Sequence, residues 1–199
     1  MNTLVVATNN KGKLKEIRQM LPWDIALQSM QDIGFTDEID EPYDTFAENA
    51  AIKARTVQEF SGMNTLADDS GLCVHALNGA PGVKSARYAG IPADDHRNLQ
   101  QLLEDMKGQT DRKAYYQAVI CLVWEGDVHY FEGFCHGTIT EEPRGKKGFG
   151  YDPIFIPDGY DKTFAELPTE VKNKLSHRGE AMRKLVEWLN PSDSPEGER

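Results

Sequence analysis

Three cysteines, five histidines and no surplus of positive charge set the first limits on this chain: 22 Lys and Arg stand against 32 Asp and Glu among 199 residues, a formal charge of −10. Cys73, Cys121 and Cys135 are odd in number, form no C-x-x-C and lie in apolar stretches. That excludes a disulfide framework and a thiolate zinc site, and leaves small reduced core residues. His75, His96, His129 and His136 are scattered, with no H-E-x-x-H, and only His177 has neighbours that suggest chemistry. The acidic balance opposes the basic footprint that a nucleic acid polymer requires. No apolar run approaches the roughly 18–20 residues needed to cross a bilayer. Met1-Asn2-Thr3 lacks the basic start of a signal peptide. The expectation is a cytoplasmic protein with no membrane partner.

What is present suffices for one domain with its own core. Thr3 to Ala7 is a short β-branched apolar run, followed by Leu14, Ile17, Met20 and Leu21 at helical spacing from Lys13 onward. A second helix is expected at Thr45, where Thr45-Phe46-Ala47-Glu48 has the capping-box form, and Gly62 ends it. A third starts after Asp94 or Asp95 and stops at Gly108, and a fourth carries Ala181, Leu185, Val186 and Leu189. Strands are expected at Ile25–Met30, Thr65–Ala67, Leu72–Leu77 and Ala114–Trp124, with a hairpin loop at Trp124-Glu125-Gly126-Asp127-Val128 leading into Val128–Ile139. Long antiparallel strands mixed with helices imply an α/β protein with a mixed sheet. The polar residues 191–199 read as a disordered tail.

Four segments could carry chemistry. Thr8-Asn9-Asn10-Lys11-Gly12-Lys13, between strand and helix, offers backbone N–H groups, side-chain donors and a lysine to a phosphate, although it is not a P-loop. Asp68-Asp69-Ser70-Gly71 places two carboxylates together. Successive strand residues point to opposite faces, so both acids reach one site only if the backbone bends there, which Gly71 permits. With the acidic group Asp37-Glu38-Ile39-Asp40-Glu41, these are hard oxygen ligands suited to Mg²⁺. Gly145-Lys146-Lys147-Gly148-Phe149-Gly150-Tyr151-Asp152-Pro153 provides a stacking face at Phe149 flanked by glycines. Lys172 and Ser176-His177-Arg178-Gly179 add a planar guanidinium fork. Singly, each segment has an ordinary structural reading; together they describe a nucleotide bound with Mg²⁺.

The ordered set of motifs resembles the non-canonical purine nucleoside triphosphate pyrophosphatases (inosine/xanthosine triphosphatases). The match includes the Thr8–Lys13 loop, Thr45 to Ala50 with Lys53, Ala67–Leu72, Gly79 to Gly82 with Ser85 to Tyr88, Phe149–Pro153 and Ser176–Gly179. The resemblance implies an elongated α/β fold with a long central mixed sheet, two lobes around a cleft within residues 1–190, and a homodimer. Its reaction is Mg²⁺-dependent hydrolysis of ITP, dITP and XTP to the monophosphate and pyrophosphate. By position, Asp69 is the general base and a metal-site acid, beside Asp68 and Glu41, with Ser70 touching substrate. Thr8, Asn9, Asn10, Lys11, Gly12 and Lys13, with Lys53 and Lys172, hold the triphosphate; Phe149, Gly150, Tyr151 and Asp152, with His177 and Arg178, hold the base. The family often has Gly where Tyr43 stands, so either Asp40 or Glu41 faces the metal. Arg178 is expected to read the purine 6-carbonyl, and a backbone N–H of the Phe149–Asp152 loop or a steric stop the 2-position. Two competitors are a Maf-like pyrophosphatase for another nucleotide and a non-catalytic nucleotide-binding protein.

Overall fold

The computed structural model describes residues 3–22 and 24–190; the tail expected at 191–199 lies outside them. Six strands form one mixed sheet in the order β2-β1-β3-β4-β5-β6. β1 (Thr3–Val6) runs parallel to β2 (Ala26–Ser29) and to β3 (Thr65–Val74). β3, β4 (Lys113–Trp124), β5 (Asp127–Ile139) and β6 (Phe155–Pro157) then pair antiparallel. The two-residue loop Glu125-Gly126, with φ of 50° and 93°, joins β4 to β5, the positive-φ pair that matches strand twist in a tight hairpin.

The helices begin where their caps dictate. Asn10 Oδ1 accepts from Lys13 N–H and opens α1 (Lys11–Met20). Thr45 opens α2 (Phe46–Ser61), and Gly62, left-handed at φ 67°, closes it. Asp94 caps α3 (Asp95–Asp105). Ser176 ends α4 (Thr169–Leu175), a helix not expected from the sequence, and through its Oγ caps α5 (His177–Leu189). This shared cap sets His177 and Arg178 in the first turn of α5.

The sheet is sandwiched. On one face Leu4, Val6, Leu66, Ile120 and Leu122 pack with Ile17 of α1 and Ala181, Met182 and Leu185 of α5. On the other, Val5, Ala67, Cys121 and Val123 pack with Ala50, Ala54 and Val57 of α2. A third cluster gathers Leu72, Val74, Tyr116 and Ile139 with Leu99 and Leu102 of α3 and with Ile154, Phe155 and Phe164. All three cysteines are buried and free, and burial pushes the Cys121 and Cys135 thiols up to about 11 and about 12. Among the described residues no helix is long and apolar enough to cross a membrane.

Two sequence expectations are corrected. Thr65–Ala67 and Leu72–Leu77 are not separate strands: β3 runs unbroken from Thr65 to Val74, in continuous register with β4. His75–Leu77 is a 3₁₀ turn. The ladder to β4 holds the polar segment Asp68 to Gly71 extended, where a bend was expected.

Candidate active site

β3 passes between the core clusters: Leu66 and Ala67 belong to the two that sandwich the sheet, Leu72 and Val74 to the third. The segment between them, Asp68 to Gly71, lies where β1 has already ended, because β1 pairs with β3 only at Thr65 and Leu66. A cleft of about 250 Å³ opens there. It is lined by Thr8, Asn9, Asn10 and Lys13 from the β1–α1 loop, by Glu41 and Lys53, by Asp69 and Ser70, and by Phe149 to Asp152 with Lys172, His177 and Arg178. Most residues singled out from the sequence therefore converge on one place.

The backbone does not bend at Gly71, so the two adjacent acids face opposite sides of the sheet. Asp68 turns toward α1 and α5 and is 1% exposed. Its Oδ1 meets Lys13 Nζ at 2.6 Å, Ser70 Oγ at 2.9 Å and Arg178 Nη2 at 3.3 Å; its Oδ2 accepts from Arg178 Nε at 3.0 Å. Burial alone would raise this carboxyl, but the Arg178 and Lys13 charges hold it well below the usual carboxylate range. With both oxygens engaged, Asp68 is the counter-ion of Lys13 and Arg178, and the expectation that it ligates metal is corrected.

Asp69 turns toward α2. Its Oδ1 accepts from Lys53 Nζ at 3.0 Å, while its Oδ2 is buried with no hydrogen-bond partner. Glu41 Oε1 reaches the same ammonium at 3.2 Å. Burial pushes the Asp69 carboxyl up against the pull of Lys53 and Lys13, and Glu41 adds to the rise. A carboxylate so raised is a stronger base than an exposed one. Burial opposes the Lys53 charge, but Asp69 and Glu41 outweigh it and keep the ammonium protonated.

Glu16 is the site residue that sequence reasoning missed. It is buried on α1 and bridges Lys172 Nζ at 2.7 Å and Arg178 Nη1. Lys172 also bonds Asp152 Oδ2 at 2.6 Å and lies 4.9 Å from the centre of the Phe149 ring. Lys172 thus sits against the Phe149–Asp152 loop rather than beside Lys53. Arg178 has four donor contacts, to Asp68 twice, Glu16 and Ser70. Of its five N–H groups, one on Nη1 is left for a ligand. The available signal was spacing: Glu16 lies one helical turn after Lys13, next to the core residue Ile17.

His177 is buried with Nδ1 unpartnered and stacks on Tyr116 at 4.6 Å between ring centres. Burial and the Arg178 charge push its pKa well below the usual value, so the imidazole is neutral. In the Phe149 loop, three of the four N–H groups are committed: Phe149 to Asp152 Oδ2, Gly150 to Asp95 Oδ2 and Asp152 to Phe149 O. Only that of Tyr151 lacks a partner among the described residues. Tyr151 itself is fixed by a bond from its hydroxyl to Ser85 O at 2.8 Å.

Four expected site residues do not border the cleft, the buried Asp68 among them. Lys11 is exposed, Asp40 is exposed, and Gly12 lies under Phe149, where a Cβ would stand 2.5 Å from the ring. Of the two acids left open for the metal, Glu41 borders the cleft and Asp40 does not. Arg87 Nη2, bonded to Glu41 O at 3.1 Å, helps to pin that loop.

Among the described residues no three His, Cys, Asp or Glu side chains converge as a metal cage. The unpartnered Asp69 Oδ2 and the neighbouring Glu41 nevertheless suit a small divalent cation, because Mg²⁺ commonly takes one or two carboxylates and completes its shell with phosphate and water.

A mixed sheet whose interrupted strand pairing opens a cleft lined with lysines, a raised carboxyl and an aromatic wall defines an α/β protein built for a phosphorylated planar ligand. Residues 4–188 match the Ham1 family model, and the chain belongs to that family. It is 49% identical over 187 residues to a dITP/XTP pyrophosphatase of Christiangramia forsetii, covering 94% of this chain and 98% of the relative. It is 48% identical to the one of Nitrosomonas europaea, covering 98% and 97%. The solved HAM1 protein of Coxiella burnetii superposes with a TM-score of 0.88 at 41% identity, over 96% of this chain and all of that one. The Staphylococcus aureus Ham1 protein gives 0.86 at 36%, with 96% and 100% covered.

Proposed function

We propose that the chain hydrolyses non-canonical purine nucleoside triphosphates, ITP and dITP, XTP and dXTP, to the monophosphate and pyrophosphate, acting with Mg²⁺ as a cytoplasmic homodimer that clears deaminated purines from the nucleotide pool. The observation that carries the reading is Asp69: a buried carboxyl with a raised pKa and one free oxygen, on the floor of a cleft that Lys13 and Lys53 border and Phe149 walls. The relatives' name supports the substrate class.

In this reading Lys13 and the N-terminal turn of α1 hold phosphate oxygens, and Phe149 takes the purine face. Asp69 orients a water against the α-phosphorus and receives its proton. The new bond joins the water oxygen to that phosphorus, the α–β bridging P–O bond breaks, and its electron pair leaves with pyrophosphate. Asp69 and Glu41 would hold Mg²⁺, which when bound would supply neutralising charge to the phosphates and the leaving group. The remaining Nη1 proton of Arg178 pairs with a 6-carbonyl and opposes the 6-amino group of adenine, since arginine cannot lose it.

A panel of ITP, dITP, XTP, GTP and ATP, with pyrophosphate and orthophosphate measured separately, tests the reading. Pyrophosphate from ITP and XTP, with ATP slow, is expected. Orthophosphate as the first product overturns it, absence of turnover favours a nucleotide-binding protein, and preference for another nucleotide favours the Maf-like alternative. Light scattering checks the dimer.

A further inference from the structure

Strand β3 loses one neighbour halfway along its length. The Ala7 N–H closes the β1 contact on Leu66 O at 2.8 Å, and beyond that point the side of β3 away from β4 is an open strand edge. Such an edge presents unpaired backbone groups that folds otherwise cover or pair. The fold shows which residues point outward: Asp68 C=O accepts from Lys53 Nζ at 3.0 Å, Leu72 N–H donates to Ser85 Oγ at 2.9 Å, and Val74 N–H donates to Ala80 O at 3.1 Å. Backbone direction alternates along an antiparallel strand, so residues 66, 68, 70, 72 and 74 form one outward series. Ser70 sits at its centre.

On either side of Ser70 one outward group is covered, the Asp68 C=O by Lys53 and the Leu72 N–H by Ser85. By this alternation the Ser70 N–H points away from β4, and no loop or side chain of the described residues accepts from it. Asp69, Ser70 and Gly71 all border the cleft, as three consecutive strand residues do when the backbone edge itself forms the wall. The Ser70 hydroxyl is not free for a ligand: it donates to Asp68 Oδ1 at 2.9 Å and accepts from Arg178 Nη2 at 2.8 Å.

We propose that the backbone N–H of Ser70, rather than its hydroxyl, contacts the substrate and donates to a phosphoryl oxygen at the phosphorus attacked by water. The assignment rests on the phosphate-hydrolysis reading above. A donor one residue from the base, fixed by the sheet and aimed from a strand edge, needs no rearrangement as negative charge builds on that oxygen. This is the arrangement by which preorganised donors lower a barrier.

The test changes one atom. L-Glyceric acid, introduced at position 70 by cell-free suppression, keeps the hydroxymethyl group and replaces the amide N–H with an ester oxygen. Pyrophosphate release from ITP by the unmodified protein tests the parent reading, and the ratio of ester to amide turnover tests the proposal. The expected ratio is a fall of about 10²-fold in kcat, with KM changed less and Tm held, because this N–H supports no bond of the fold. A control ester at Leu72, made with 2-hydroxy-4-methylpentanoic acid, loses the Ser85 bond and lowers Tm. In the unmodified protein the Ser70 amide proton is expected to move downfield when α,β-methylene dITP binds. Turnover of the position-70 ester within about threefold of the amide, a drop in its Tm matching the control, or an unmoved Ser70 amide signal overturns the proposal.

Discussion

Asp68→Asn and Asp69→Asn should have opposite consequences, although the residues are neighbours. At Asp68 the amide would turn an NH₂ group toward Arg178 or Lys13, donor against donor, and leave Glu16 the sole carboxylate bonded to the buried Arg178 guanidinium. Breaking a buried pair by removing one partner costs about 3–5 kcal/mol. In a chain of this size each kcal/mol shifts Tm by roughly 2–4 °C, so the variant should melt roughly 6–20 °C lower. At Asp69 the change removes a carboxylate that burial already disfavours, while Lys53 keeps Glu41 and the Asp68 carbonyl. Its Tm should stay within a few degrees of the parent or rise, while kcat falls by roughly 10²–10⁴-fold for loss of the base. Calorimetry and pyrophosphate release measure both. Equal melting temperatures for the two variants, or a destabilised Asp69→Asn beside a stable Asp68→Asn, would refute the opposite-face argument.

The pH dependence follows from the same charges. Asp68 and Glu16 have lowered folded pKa values, so their stabilisation is present above the unfolded values near 4 and is lost as pH falls below them; a Tm unchanged from pH 6 to 3 contradicts this. Because Asp69 is raised, the acid limb of kcat/KM should lie above the ordinary carboxylate range, and an inflection at or below about 4 counts against it as the base. Glu41→Gln should alter the Mg²⁺ dependence of turnover and Asp40→Asn should leave it unchanged; the reverse pattern would return the metal to Asp40. Phe149→Ala should weaken every purine triphosphate by about 1–3 kcal/mol in binding, and Gly12→Ala should do so in part by displacing the ring; unchanged KM values in both would remove Phe149 from the binding wall.

Local signals made much of the fold legible. The Thr45-x-x-Glu48 box, Asp94 and the Glu125-Gly126 hairpin each act within a few residues, so the sequence alone locates α2, α3 and the β4–β5 turn. Helix α4 escaped because Thr169–Leu175 is only seven residues long, too short for an apolar period to stand out. The continuity of β3 escaped for another reason: polar residues at 68–70 are tolerated in a strand interior only because Lys13, Arg178 and Lys53 arrive from distant elements to pair with them. Glu16 was invisible for the same cause, since both of its cationic partners lie more than 150 positions away in the chain. Motif reading finds which residues gather. It does not reveal which side of a strand each one takes.

That side decides the electrostatics of the cleft. Lys13, Asp68, Arg178, Glu16, Lys172 and Asp152 form a chain of alternating sign, each bonded to the next, and its charges cancel. Across β3, Lys53 faces two carboxylates, Asp69 and Glu41, which leaves an excess of negative charge. The alternating chain can orient a base and hold α1 against α5, but its charges already cancel, so the contact of Lys13 with a phosphate oxygen brings no net positive charge to a polyphosphate. The other side repels it. A triphosphate entering alone would bring anion to anion beside Asp69, whereas one entering with a divalent cation would supply the charge that the unpartnered Asp69 oxygen lacks. The surplus carboxylate is therefore better understood as half of a site that the substrate completes, and the spent cations opposite it as a rigid frame that keeps Asp69 on the far side of the strand from Arg178.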